Sequence, residues 1–169
     1  MAAYHAEASD PDGKEILTWE AFGVASRELA TMVAASGFRP DVLVAVARGG
    51  LVTAGALAYA LGVKLADAMN VEFYTDVATT LPDPVLLAPM LDSDSIAGRR
   101  VLVVDDVADS GRTMELVMDI LLANGAEVRS AVLYTKPTSI FQVDFAWKSV
   151  DAWIVFPWSA LPPVLERAG

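Results

Sequence analysis

The chain has 169 residues, of which 54% are hydrophobic, with no cysteine, a single histidine and a formal charge of −10. That length supports one well-buried core and is short for two domains of ordinary size, so a single domain over 1–169 is expected. The composition excludes disulfides, thiolate chemistry and a histidine-ligated zinc site, leaving oxygen donors for any metal, while the acidity argues against nonspecific nucleic-acid binding, which depends on many Lys and Arg contacts to phosphate.

No apolar run reaches the roughly 18 uninterrupted residues that a membrane span requires. Residues 1–14 are polar and acidic, with His5 and the turn cluster Asp10-Pro11-Asp12-Gly13. They resemble neither a secretory signal nor a transit peptide, and read as a loose tail on a cytoplasmic protein. Thr18 then suits a helix N-cap, with Phe22, Ala25, Leu29, Met32 and Val33 recurring at helical spacing as far as Gly37. Phe38-Arg39-Pro40-Asp41 breaks that pattern, and Val42–Val46 is a short apolar run of the kind buried on both faces of a parallel sheet. It leads into Ala47-Arg48-Gly49-Gly50. Beyond it Leu51–Leu61 is apolar and of helical length, closed by Gly62 at the position favoured for a left-handed cap. Paired glycines allow close backbone approach to a ligand, and Arg48 can grip phosphate oxygens with two prongs; the plain alternative is a tight strand-to-helix turn with a surface arginine.

Asp67–Phe73 is a further strand candidate, with Val71 and Phe73 on one face. From 74 to 98 the chain carries Pro82, Pro84 and Pro89 among aspartates, threonines and serines, with no sustained period. A connection of that length reads as a flexible loop covering an active site, with a plain insertion as the alternative. Arg99-Arg100 then precede Val101–Val104, a second doubly buried strand that ends in the carboxylates Asp105, Asp106 and Asp109. Ser110, Gly111 and Thr113 follow just before a helical pattern made by Met114, Val117, Met118, Leu121 and Leu122, which stops at Asn124-Gly125. Unpaired backbone N–H groups and the helix dipole at such a start suit an anion. Carboxylates fit for sugar hydroxyls or a metal therefore stand beside a phosphate cradle. Another strand spans Val128–Tyr134 and ends at Lys136-Pro137, and Trp153-Ile154-Val155-Phe156-Pro157-Trp158 reads as a strand stopped by proline.

Helices alternating with short apolar strands imply the α/β class, with a mainly parallel sheet and right-handed crossovers. Ligands in such sheets bind at the carboxyl ends of the strands, which is where Arg48, Asp105, Asp106, Asp109 and Lys136 fall. Neither G-x-x-x-x-G-K-[ST] nor G-x-G-x-x-G occurs, which disfavours nucleoside triphosphatases and dinucleotide enzymes. The acid pair comes late in the chain and runs into a phosphate loop, unlike that of a receiver domain.

Val103-Val104-Asp105-Asp106-Val107-Ala108-Asp109-Ser110-Gly111-Arg112-Thr113 resembles the phosphoribosyl-pyrophosphate (PRPP) signature of the type I phosphoribosyltransferases. Ala47-Arg48-Gly49-Gly50 is similar to that family's pyrophosphate loop. Lys136-Pro137 and Trp153-Ile154 resemble purine-binding segments of the xanthine-guanine and related 6-oxopurine members. The resemblance runs from about Ile16 to Trp158 and is less specific towards its end.

The resemblance implies the type I phosphoribosyltransferase fold, with a central sheet flanked by helices and a small C-terminal base-binding hood over 136–160. It implies a purine-salvage enzyme that moves the 5-phosphoribosyl group from PRPP to xanthine, guanine or hypoxanthine, giving a nucleoside monophosphate and pyrophosphate, with Mg²⁺ as cofactor. Asp105 and Asp106 would take the ribose hydroxyls, directly or through the metal, and Asp109, Ser110, Gly111, Arg112 and Thr113 would bind the 5′-phosphate. Arg48, Gly49 and Gly50 would hold pyrophosphate beside a cis peptide between Ala47 and Arg48. Asp109 would act as base at N7 of the purine, Lys136 would donate to O6, Trp153 would stack on the ring and Ile154 would read the C2 edge through its backbone. From the residues alone, Lys136 as a surface lysine and Trp153 as a core anchor stay open. A homodimer or higher homo-oligomer is expected. The 74–98 segment departs from many relatives in having no Lys or Arg. A PRPP- or nucleotide-sensing regulator on the same fold, or a transferase for another nucleobase, is the alternative.

Overall fold

The computed structural model describes residues 13–72, 75–76, 79–80, 85–86 and 96–165. The tail read over 1–14, except its last two residues, and most of the 74–98 connection lie outside them.

A single sheet in the order β6-β3-β2-β7-β8-β9 organises the chain. Its five parallel members are β2 (Val42–Ala47), β3 (Leu65–Glu72), β7 (Arg100–Ala108), β8 (Glu127–Thr135) and β9 (Phe145–Ser149). β6 (Val85–Leu86) adds an antiparallel edge, while β4 (Thr75–Asp76) and β5 (Thr79–Thr80) pair with each other. So part of the stretch expected to lack regular structure forms short ladders. The central strands are apolar on both faces because both faces are covered. Leu43, Ala45, Leu102, Val104, Ala131 and Leu133 face α1 (Trp19–Ala35) and α2 (Gly49–Leu61), burying Leu29, Val33, Ala54 and Leu57. Val42, Val44, Val101, Val103, Val128 and Val132 face α3 (Arg112–Ala123) through Met114, Val117 and Leu121. Period-two alternation thus assigns each strand residue to one of two cores.

The ends of the helices follow their local chemistry. Thr18 Oγ1 accepts from Ala21 N–H at 3.1 Å, the N-cap bond expected there. Gly62 takes φ 70° beyond α2, the left-handed cap. α2 begins at Gly49, two residues before the apolar run suggested, because the glycines themselves form its first turn. At the opposite end of the sheet, Asp41 fastens β2 to β7. It accepts from Arg100 N–H at 3.0 Å, Nε at 3.1 Å and Nη2 at 2.8 Å.

Further boundaries depart from the sequence reading. β3 starts at Leu65 rather than Asp67, because its register with β2 pairs Val42 with Leu65. Asp105 and Asp106 lie within β7, not after it, since β8 continues the ladder from Asp105↔Val132 to Ala108↔Thr135. The strand read over Trp153–Phe156 shrinks to β10 (Ile154–Val155), which among the described residues pairs with the two-residue β1 (Glu15–Ile16) alone. Within 136–160, β9 belongs to the main sheet and β10 stands apart with β1 above the carboxyl ends of the strands.

Candidate active site

β2 and β7 are neighbours, and their carboxyl ends bring the two glycine- and acid-bearing loops together. The Ala47–Arg48 peptide is cis, as the resemblance implied. Directly after it, α2 starts against the acid pair. A Cβ on Gly49 would lie 1.9 Å from Asp106 Oδ2, and one on Gly50 would lie 2.4 Å from the Val104 carbonyl oxygen. At Gly50 only hydrogen fits against backbone, and at Gly49 a methyl would displace the Asp106 carboxylate.

Both carboxylates lie against the start of α2, Asp106 beside Gly49 and Asp105 beside Gly50. Asp105 Oδ1 accepts from Asp106 N–H at 2.8 Å. Burial, together with the charge of Asp106, still pushes Asp105 well above the usual carboxylate range. Burial raises Asp106 as well, opposed by hydrogen bonding with Val107 N–H and with the Asp105 side chain. A pair of carboxylates sharing a sheltered site is poised to receive a cation or hydroxyl donors. Both groups supply hard oxygen donors, the type magnesium takes. Among the described residues no cluster of three or more His, Cys, Asp or Glu suits a metal ion. The fit is therefore that of an ion held by one or two carboxylates and completed by oxygens of a phosphorylated ligand.

β7 ends at Ala108 and the chain turns through Asp109 and Ser110, both exposed, into α3. Gly111 has φ 82° and is the N-cap. The amides that open α3 have no backbone partner four residues back, the usual make-up of an anion site. Ser110 Oγ accepts from Arg112 N–H at 3.4 Å. The loop is braced from behind by the β8–β9 connection: Ile140 N–H donates to Ser110 O at 3.0 Å, and a Cβ on Gly111 would lie 2.7 Å from Phe141 N. Thr113 is half-buried on the first turn and Arg112 is exposed.

Beside the loop opens a cavity of about 640 Å³ lined by Val107, Asp109, Lys136, Trp153, Ile154 and Phe156, among others. Trp153 is 74% exposed, so it is not a core anchor. Lys136 is not a free surface lysine either: its N–H donates to Ala108 O at 3.1 Å and its Nζ to the Ala152 carbonyl, next to Trp153. Glu15 N–H donates to Trp153 O at 2.9 Å and Leu17 N–H to Val155 O at 3.0 Å. Those bonds place the Ile154 amide and carbonyl on the edge of β10 away from β1, because backbone groups alternate sides along a strand. Every described residue singled out in the sequence therefore lies on the carboxyl-end surface: Arg48, Gly49 and Gly50 against Asp105 and Asp106, Asp109 to Thr113 next to them, and Lys136, Trp153 and Ile154 around the cavity. The sequence reading missed the brace at Ser139–Phe141, which follows no motif because it is a contact between segments far apart in the chain.

A model of the phosphoribosyl transferase domain matches residues 12–162. The xanthine-guanine phosphoribosyltransferase of Gluconobacter oxydans is 32% identical over 161 residues, spanning 90% of this chain and 91% of that protein. Among solved structures, a purine phosphoribosyltransferase from Pyrococcus horikoshii aligns with a TM-score of 0.76 at 33% identity, over 91% of this chain and 99% of that one. A hypothetical protein from Neisseria gonorrhoeae with bound ppGpp aligns with a TM-score of 0.77 at 27% identity, over 88% of this chain and 91% of that one. With a parallel α/β sheet, an acid pair on its central strand and a glycine-capped loop after it, the chain belongs to the phosphoribosyl transferase domain family.

Proposed function

We propose that this protein transfers the 5-phosphoribosyl group of PRPP to a 6-oxopurine, releasing pyrophosphate. One observation carries the reading: Asp109 belongs at once to the loop that opens α3 and to the wall of the cavity that holds Lys136 and Trp153. A phosphate loop and an aromatic, lysine-bearing pocket joined at a carboxylate suit a sugar phosphate on one side and a flat heterocycle on the other.

In this reading Asp105 and Asp106 bind the ribose hydroxyls, and the amides and hydroxyls of residues 109–113 take the 5′-phosphate. Arg48 and the amides of Gly49 and Gly50 meet the pyrophosphate. Lys136 donates to O6, Trp153 stacks on the ring and the outward backbone of Ile154 meets the C2 edge. A purine ring nitrogen attacks C1′ as the C1′–O bond to pyrophosphate breaks, and the N7 proton passes to Asp109. A bound Mg²⁺, held by Asp105 and Asp106 with ligand oxygens, would neutralise charge on the departing pyrophosphate. The chain's own contribution is position, since two reactants held at van der Waals distance escape most of the entropic cost of meeting. Locally placed cations, Arg48, Arg112 and Lys136, offset the repulsion that a charge of −10 presents to a polyphosphate.

The test is a panel assay with PRPP, Mg²⁺ and individual purines and pyrimidines. Nucleotide formation from xanthine, guanine or hypoxanthine supports the reading; tight PRPP binding with no turnover on any base overturns it. The ppGpp bound in the Neisseria gonorrhoeae relative favours a second reading, a nucleotide-sensing regulator, which the same panel would reveal as ppGpp binding without turnover. Self-association into a homodimer belongs to the first reading and is measured by light scattering.

A further inference from the structure

The wall of the base cavity that carries Trp153 and Ile154 is a strand with little to hold it. Among the described residues β10 pairs with β1 alone, and Glu15 N–H and Leu17 N–H donate to the carbonyls of Trp153 and Val155. So short a ladder is marginal by itself, and β10 stands where β1 is fixed. The side chain of Glu15 does the fixing. Its Oε1 accepts from the Tyr134 hydroxyl at 3.2 Å and from Lys148 Nζ at 2.8 Å. Tyr134 and Lys148 are register partners on β8 and β9, so one carboxylate clamps β1 to two adjacent strands of the main sheet. The tyrosine is fully buried, and its hydroxyl would be left without an acceptor if Glu15 moved away. Its ring meets Phe156, a residue of the cavity wall, edge-on at 5.9 Å. On the other flank Lys136 Nζ donates to Ala152 O.

We propose that Glu15 is a positioning residue for the base site: by fastening β1 to Tyr134 and Lys148 it holds β10, and with it Trp153 and Ile154, at the cavity. This rests on the reading of that cavity as the purine subsite. Leu17 already sinks into the core two residues further on, but apolar packing is non-directional, whereas two donors on neighbouring strands fix where β1 lies. A wall that is docked for only part of the time weakens binding in proportion to that fraction. The bonds of Glu15 run to β8, β9 and β10 rather than to the acid pair or the loop that opens α3, so its loss should tell the two substrates apart.

The experiment is a double-mutant cycle between Glu15→Ala and Lys148→Met, read by the separate KM values for purine and PRPP and by hydrogen exchange at the Leu17 amide, which Val155 O protects. Glu15→Ala should raise the purine KM about tenfold, the scale of one hydrogen bond, leave the PRPP KM within about twofold and speed exchange at Leu17. Lys148→Met removes one of the two donors and should shift the purine KM in the same direction by less, and the double mutant should match Glu15→Ala, because residues acting through one contact are not additive. Glu15→Gln keeps an oxygen acceptor and should restore most of the purine affinity. Glu28→Ala breaks a different tie to β9, the bond from Trp147 Nε1 to Glu28 at 2.6 Å, and should lower Tm without moving the purine KM. A purine KM within about twofold of wild type in Glu15→Ala, an equal loss for PRPP, or the same rise in Glu28→Ala would overturn the proposal while leaving the purine reading intact. If wild type turns over no purine, the reading of the cavity falls and the proposal with it.

Discussion

Gly49→Ala and Gly50→Ala add the same methyl group one residue apart at the start of α2, and the two should fail in different ways. At Gly50 the new Cβ would lie 2.4 Å from Val104 O and 3.1 Å from Asp105 Cα, both backbone atoms of β7. No side-chain rotation relieves that overlap, so α2 must lift from the sheet. Overpacking of this kind costs about 1–3 kcal/mol, offset by at most about 1 kcal/mol from the better helix propensity of alanine. With that offset in full, the net loss reaches about 2 kcal/mol and lowers Tm by up to roughly 8 °C in a domain of this size. At Gly49 the nearest atoms are all in the Asp106 side chain: Oδ2 at 1.9 Å, Cγ at 2.3 Å and Oδ1 at 2.7 Å. Here the carboxylate can swing aside, leaving the fold near its original stability but the sugar subsite without a correctly placed acceptor. A lost hydrogen bond to a charged group is worth about 1.5–3 kcal/mol, or roughly ten- to 150-fold in PRPP affinity. Thermal unfolding and calorimetric titration with PRPP and Mg²⁺ separate the outcomes. If Gly49→Ala binds PRPP like wild type, or if both variants lose the same stability with no selective loss of binding, the close packing of α2 on the acid pair does not do what is argued here.

Other outcomes follow from contacts elsewhere. Arg100 holds the Asp41 carboxyl down to about 2 through side-chain and backbone hydrogen bonds. A carboxyl depressed in the folded state stabilises fully above its unfolded value, near pH 4, and loses that contribution as pH falls through about 2. Asp41→Asn should therefore be less stable than wild type at pH 7, with the gap closing in acid melts taken towards pH 2. Gly111→Ala forces an alanine into φ 82° against Phe141 N, and should cost about 1–3 kcal/mol in chemical denaturation together with a loss of PRPP affinity. Lys136→Met keeps the length of the side chain and removes the donor; the purine KM should rise at least tenfold while PRPP binding changes little, as steady-state kinetics on both substrates would show.

Much of this site is readable from the sequence because it is built from local chemistry. The runs Val42–Val46 and Val101–Val104 could only be doubly buried strands, and the residues that leave their carboxyl ends are those now found beside each other. The limits of the reading are equally specific. β9 was missed because Phe145–Ser149 is an edge strand, half-buried along most of its length, with no strong alternation to mark it. The acid pair was placed after its strand because carboxylates usually end one; β8 extends the ladder past them. The motif supplied Gly49 and Gly50 but not what each one touches, which depends on how α2 lands on β7. Trp158 was read as the end of a strand, and its ring contacts with Phe22 and Phe156 join segments that only the folded chain brings together.

The central claim is that Asp109 links the phosphate loop to the base cavity and handles the purine proton. Its most direct test compares wild type with Asp109→Asn, an isosteric change at an exposed position, using pre-steady-state nucleotide formation from PRPP and a 6-oxopurine. Removing a general base typically costs about 10²–10⁴-fold in rate. A drop of at least about a hundredfold in kcat, with PRPP still bound through the loop amides within about threefold of wild type, is the predicted result. An Asp109→Asn protein that turns over within a few-fold of wild type would contradict the account.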